Sequence, residues 1–468
     1  MLNKQLALEV INLAASTGAD FVEIFNEDTD KHGYVLEGEK VDATSITNIS
    51  GIGLRLLKGT RSVYGSTSDK ARKGLLKLAE TLSKSFEGER ILPLLTSFED
   101  IKVKKIHRKS TPISEINPAE IISLLKKATN IVLNYDKRIV RAIGSFALTS
   151  SKIEIFNSEG KHWVDKKEYG RMALQSIASE NGKIETRFDG PGAQGGWEFF
   201  TKELDVEKLA INSAQKVLLM LGARECPSGK YPVVIGNGWG GVIFHEACGH
   251  QLEATAVAKG LSVFSGKKGE KIANDCVSAY DDGSLPNEWG SNNLDDEGNI
   301  PQKNMLIKDG ILTGYLVDSF NGRRMNEKGN GACRRQSYKF EPTSRMSNTY
   351  IAPGNYTPEE IIQNTKLGLY AVSFNGGSVD PSTGDFNFGC SEAYIIKDGK
   401  IAEPVRGATL VGNARDILKH IDMVGNDLAF GQGMCGSVSG SIPVNVGQPT
   451  IRVDEIVVGG RGGSINDF

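Results

Sequence analysis

The stretch that most constrains the fold is GNGWGGVIFHEACGHQLEA, residues 236–254, in which His245-Glu246 is followed by His250. The pattern is H-E-x-x-x-H, one residue longer than the H-E-x-x-H that sets two histidines on one helical face. At about 100° per residue, positions four apart differ by about 40° and positions five apart by about 140°. A regular helix therefore holds His245 and His250 apart. Gly249 offers a way round: Gly in mid-helix costs up to about 1 kcal/mol relative to Ala, and single-turn π-bulges, which add one residue to a turn, are frequent at functional sites. The sequence predicts a helix that bulges or ends here.

If the imidazoles converge, the segment holds the beginnings of a metal site. Catalytic zinc takes three protein ligands and keeps a fourth position open, and a carboxylate beside the first ligand can serve as general base. Glu246 is that carboxylate. The competing reading is two helix histidines satisfied by hydrogen bonds. Spacing leaves the third ligand open: Glu253 is the local candidate, Cys248 is expected to point away, and Cys276, Cys333, Cys390 and Cys435 are distant ones. Gly236-x-Gly238-x-x-Gly241 also matches the dinucleotide fingerprint, which needs an acid about 20 positions on, after a second strand. Here the helix is expected to run to about Ala258, and no acid occurs between Glu253 and Glu270. The glycines are read instead as letting the backbone turn sharply and a neighbouring strand approach the helix.

Composition narrows the classes of function. A net charge of −2 over 468 residues gives no electrostatic case for nucleic acid. No run approaches the ~20 apolar residues of a membrane span. Six cysteines without a C-x-x-C pair are too few to staple this chain, so a reducing cytoplasm is the expected home. The 54 glycines are well above the usual ~7% and mark tight turns and close backbone approaches. Near the start, Leu6, Val10, Leu13 and Ala14 share a helical face, which predicts a folded amphipathic helix rather than a signal peptide. The basic run Ile101 to Ser110 alternates apolar and basic residues and reads as a strand with a solvated face.

Helices are predicted over Asp69 to Lys84, from Asp205 to just before Gly222, and after Asn117-Pro118 and Thr357-Pro358, where a Pro at the first helical position is a strong start signal. Asp309-Gly310 and Asp398-Gly399 sit between apolar runs and predict hairpins; GYVLEGEKVDATSI predicts another. The expected fold is α+β: an N-terminal α/β hairpin-and-helix region, then a mostly antiparallel β domain carrying the metal-site helix. Expected domains are 1–98, 99–225 and 226–468.

Beyond the motif, LSVFSGKKGEKIA, LDDEGNIPQ, SRMSNTYIAPG, GGSVDPSTGDFNF, SEAYIIKDGK, MVGNDLAF and GMCGS with IPVNVGQPTIRVDEIVVGG resemble the TldD/PmbA metallopeptidases, in the TldD-like branch that keeps the zinc motif. The likeness covers most of residues 230–460 and more loosely the first 220. It implies that His245, His250 and Cys435 bind Zn2+ and that Glu246 is the general base. It further implies an endopeptidase for unfolded or small peptides working inside a closed dimer, the partner in many members being a motif-less PmbA-like paralogue. The other readings are a non-catalytic modulator or binding subunit of a PmbA-type complex, and a dipeptidyl peptidase with the same histidine spacing. The family's "GK" after the cysteine is replaced here by GSVSGS, so no lysine role carries over. Asp295-Asp296-Glu297 and Arg334-Arg335 match family segments but read as an acidic turn and a solvated basic pair.

Overall fold

Two long hairpins set the frame of the first half. Phe21–Glu37 turns back as Lys40–Lys58, and Ile139–Asn157 turns back as Lys161–Glu180. The inner strands pair antiparallel from Glu23↔Asn157 to Glu37↔Ile143, so strand pairing crosses the expected boundary near residue 98 and makes one eight-stranded sheet. The structure is a computed structural model, and it describes residues 1–380 and 383–468. Pro381 and Ser382, inside the GGSVDPSTGDFNF segment, lie outside the described residues.

Alternation along Phe21–Glu37 decides which face goes where. Val22, Ile24, Tyr34 and Leu36 point to one face, where Lys4–Ala14 and Arg72–Ser83 cover one end and Pro118–Tyr135 and Val206–Gly222 the other. Asn3, Asn117 and Asp205 cap backbone N–H groups with their side chains, while the helix expected from Asp69 starts at Arg72 without a side-chain cap. The N-terminal stripe is displaced slightly, with Ala7, Val10, Ile11 and Ala14 buried and Leu6 and Leu13 half-buried. The helix from Val206 includes Gly222 rather than ending before it.

The other face carries Glu23, Phe25 and Glu27, and it packs on the C-terminal half. Here two expectations fail. The acidic triplet and the arginine pair are not solvated: all five side chains are buried. Arg335 reaches Glu23 at 2.6 Å, and Arg55 bridges Glu23 at 2.8 Å and Glu297 at 2.7 Å, a seam between the halves. Opposite charges 240 and more residues apart in the chain meet there, which no local pattern encodes. The basic run also departs from expectation. Only Glu99–Ile101 is strand, pairing with Lys161–Trp163; beyond it Ile106 N–H and Arg108 N–H donate to the Asn293 and Asn287 side chains instead of to a neighbouring strand.

The C-terminal half is built mainly of an eight-stranded and a six-stranded sheet, mostly antiparallel. The parallel pairs include Gly229–Ile235 with Leu367–Val379 and Asn348–Ile351 with Gly440–Gln448. Both Asp-Gly hairpins form, with φ of 47° and 78° at Asp309-Gly310 and 51° and 72° at Asp398-Gly399, the left-handed pair a two-residue turn needs. Phe244, Ala247, Cys248 and Leu252 of the motif segment share one core with Val233, Phe388, Ile395 and Ile442 from these sheets. The histidine segment is thereby held from both sides.

Candidate metal centre

The motif segment is not one helix. A 3₁₀ turn at Trp239–Gly241 leads into one α-helical turn at Val242–Phe244, a π-helical turn at His245–Gly249 and a 3₁₀ turn at His250–Leu252. Glu253 is extended (φ −74°, ψ 128°), so the helix expected to continue to Ala258 breaks there, and a separate turn follows at Ala254–Val257. The π turn takes up the fifth residue of the spacing. Two glycines make room for it. A Cβ on Gly249 would stand 2.2 Å from Met346 Sδ, and one on Gly241 would stand 2.6 Å from the Gly447 backbone. The neighbouring strand approaches as the glycines of the loop suggested.

The bulge turns the two imidazoles toward each other, with ring centroids 5.1 Å apart and planes at 82°. Cys435 comes from Ala429–Ser437, which pairs with Gly440–Gln448 at the edge of the six-stranded sheet. Its Sγ lies 3.3 Å from His245 Nε2 and 3.3 Å from His250 Nε2. Nitrogen and sulfur donors at ordinary zinc bond lengths in a tetrahedron stand about 3.5 Å apart, so each sulfur–nitrogen pair needs only a small expansion to hold such an ion. His245 and Cys435 are buried, while the side chains of His250 and Glu246 keep 18% and 28% of their surface open. Glu246 Oε2 is 3.8 Å from His250 Nε2. The centre thus has a closed back and an open front.

Electrostatics fits a cation site. Burial pushes the Cys435 thiol up, but the imidazoles of His245 and His250 outweigh it and bring the group down to about 3, the thiolate that a metal requires. His250 is raised above the usual histidine range: burial pulls it down, and the Glu253 carboxylate and Cys435 more than offset that.

The alternatives for the third donor are elsewhere. Glu253 Oε1 lies 3.3 Å from Nδ1 of His250, across the ring from Cys435, so it cannot share a metal held at Nε2. Cys248 is fully buried in the core, where desolvation pushes its thiol up. Cys333 is buried beside the charged seam, again with a raised thiol, and Cys276 is exposed with its Sγ on the Ile421 carbonyl. Among the described residues, His245, His250 and Cys435 are the group of three metal-type side chains whose donor atoms converge. One neighbour had no signal in the sequence. Arg345 is fully buried and donates to the Cys435 carbonyl at 2.6 Å.

A largely buried Cys/His₂ donor set with a flanking half-buried glutamate, on a bulged helix packed between sheets, has the make-up of a metallopeptidase centre. Comparison with known proteins agrees. Residues 228–460 match the PmbA/TldA metallopeptidase C-terminal domain, 111–221 the central domain and 22–85 domain 1. The chain is 33% identical over 468 residues to the metalloprotease TldD homolog of Haemophilus influenzae, covering 98% of this chain and 97% of that one. It is 35% identical over 422 residues to the TldD homolog of Buchnera aphidicola from Schizaphis graminum, covering 88% and 86%. A zinc metalloprotease TldD homolog of Saccharolobus solfataricus is 27% identical over 308 residues, 66% of this chain and 68% of that one. The same fold occurs in a putative modulator of DNA gyrase from Bacteroides thetaiotaomicron (TM-score 0.77, 19% identity, 98% of each chain) and in TldE from Thermococcus kodakarensis (TM-score 0.74, 19% identity, 94% and 97%). The chain belongs to the PmbA/TldD metallopeptidase family.

Proposed function

We propose that the protein is a zinc-dependent endopeptidase for unfolded or small peptides, with His245, His250 and Cys435 as zinc ligands and Glu246 as general base. The convergence of two Nε2 atoms on one thiolate sulfur carries the reading. Zinc in this site would supply Lewis acidity, polarising a substrate carbonyl and lowering the pKa of a water from 15.7 toward about 7. Glu246 stands on the open side of the donor set and has no ligand's role, so its carboxylate is free to take a proton from the attacking water and give it to the leaving amine. Retention of Glu246 beside an intact donor set favours an enzyme over a non-catalytic modulator.

The substrate mode follows from the cysteine strand. Among the described residues Ala429–Ser437 pairs with a strand on one side only, its other edge carrying an isolated bridge from Phe430 to Gly238. Asn445 donates its N–H away from it, to Ser347 O, so Gln432 opposite and, in step with it, Met434 and Gly436 turn their backbone groups to the outer edge. An extended peptide laid along Met434 and Gly436 would pair by main-chain hydrogen bonds beside Cys435, which tolerates many side chains. A cleft of about 480 Å³ lined by Trp239, Phe374, Arg187 and Met434 borders this edge. A dimer closing over it, with a second copy or a motif-less PmbA-like paralogue, would restrict access to unfolded chains, and the cytoplasm is the setting that suits a thiolate ligand. Among the described residues no helix is long and apolar enough to cross a membrane.

The test is a digest of an unfolded protein read by mass spectrometry, with metal measured in the same sample. Internal cuts, about one zinc per chain and loss of cutting on chelation are expected. Dipeptide release from the N-terminus, or cutting by metal-free protein, would overturn the reading.

A further inference from the structure

Behind the donor set lie two buried polar side chains that the peptidase reading does not use. Glu253 and Arg345 have side chains 5% and 0% exposed, and Oε1 of the first and Nε of the second make no hydrogen bond. These two atoms face each other at 3.9 Å, and the same Oε1 stands 3.3 Å from Nδ1 of His250. The remaining nitrogens of Arg345 are committed elsewhere: Nη2 donates to the Cys435 carbonyl at 2.6 Å, and Nη1 to Ser439 Oγ at 2.8 Å and the Gly440 carbonyl at 2.9 Å. A continuous line therefore runs from His250 through Glu253 and Arg345 to the backbone of Cys435. The break in the motif segment at Glu253 is what turns this carboxylate inward.

We propose that Glu253 and Arg345 are a positioning pair that couples the helix half of the metal site to its strand half. The Glu253 carboxylate faces Nδ1 of His250 as an acceptor and keeps the proton on that nitrogen, which fixes the tautomer that leaves Nε2 free for a metal. Arg345 supplies the counter-charge that a buried carboxylate requires and, through its fork, holds the strand that carries the thiolate. Neither residue touches substrate. The inference rests on the metal-centre half of the proposed function and not on peptide cleavage.

Cobalt(II), added to the purified full chain, is the probe, because its absorption reports both the thiolate bond and the coordination geometry. Glu253→Ala should weaken cobalt binding by about 10- to 100-fold, the usual cost of losing a ligand's supporting partner. Glu253→Gln keeps an acceptor oxygen and should recover most of that loss. Arg345→Lys keeps the charge but not the fork, and should shift or weaken the thiolate-to-cobalt band. The double variant Glu253→Ala/Arg345→Lys should lose little more affinity than the worse single one, because the two act through one line. Parent-like cobalt affinity and an unchanged band in Glu253→Ala, with only a lower melting temperature, would overturn the proposal, as would fully additive losses in the double variant. Cleavage is not part of the readout. A chain that shows the coupling yet cuts no peptide would refute the proposed function and leave the positioning pair standing.

Discussion

Two buried polar regions of this protein look alike in composition and differ in kind. In the seam between the halves, Glu23 meets Arg335 and Arg55, and Glu297 meets Arg55 and accepts from the N–H and hydroxyl of Ser319 at 2.9 and 2.7 Å. Each of these two carboxylates meets a guanidinium supplied by the protein itself. In the metal centre, two imidazole nitrogens each stand 3.3 Å from one sulfur, all three atoms of the kind that ligate a metal. Nδ1 of His245 is buried without a hydrogen-bond partner. Balanced opposites hold a fold together. Converged donors of one kind call for a cation from outside, and that distinction, more than burial or charge count, separates structural from functional polar groups here.

The comparison can be broken most sharply at the thiolate. Cys435→Ser should strip most of the metal and with it the activity, since a neutral hydroxyl is a much poorer zinc ligand, while Cys248→Ser and Cys390→Ser should keep the metal. Metal analysis of the three purified variants checks this, and a metal-replete Cys435→Ser protein would mean the convergence is not the binding site. The seam should respond in stability instead. Arg55→Met leaves Glu23 and Glu297 short of a counter-charge inside the protein, and breaking a buried pair of this type costs about 3–5 kcal/mol. Denaturant unfolding should show that loss with metal content unchanged; a neutral effect would make the seam dispensable.

Glu246→Gln tests the open front of the centre. It should keep metal and fold while lowering the cleavage rate at least about a hundredfold, the low end for general acid–base catalysis. A rate within about threefold of the parent, well outside that range, would put the base elsewhere. The smallest effect belongs to the segment between Ile101 and Pro118, which lies against the C-terminal half. His107 accepts the Asn287 N–H at Nδ1, and burial lowers it from the usual 6.5 to about 4. Its folded pKa lies below its unfolded one, so the unfolded chain binds the extra proton first. The stability it protects is present above about pH 6.5 and is lost as pH falls toward 4. After discounting for partial solvent access the loss should be about 1–2 kcal/mol, read as the difference between parent and His107→Asn in unfolding across that window. Parallel curves would rule the histidine out.

What the sequence determined by itself is whatever nearest neighbours in the chain can enforce. Asn117-Pro118 and Thr357-Pro358 start helices because capping and a fixed proline φ act within one turn. Asp309-Gly310 and Asp398-Gly399 make their hairpins for the same local reason. The histidine spacing together with Gly249 required a bulge or an end, and the π turn at His245–Gly249 is that bulge. Tertiary structure alone decided everything that depends on partners far along the chain. Spacing left Glu253 and several cysteines open as third donor; strand pairing put Cys435, 190 residues from His245, against both imidazoles and turned Glu253 to the far side of the ring. The acidic triplet and Arg334-Arg335 looked solvated because charged residues are almost never fully buried unless paired, and the partners of Arg335 and Glu297, Glu23 and Arg55, arrive from another sheet. The run after Ile101 alternates like a strand, but its hydrogen bonds were taken by asparagines of a loop nearly two hundred residues on. Periodicity sets how a segment can fold; which long-range partner satisfies its buried groups is fixed only when the sheets assemble.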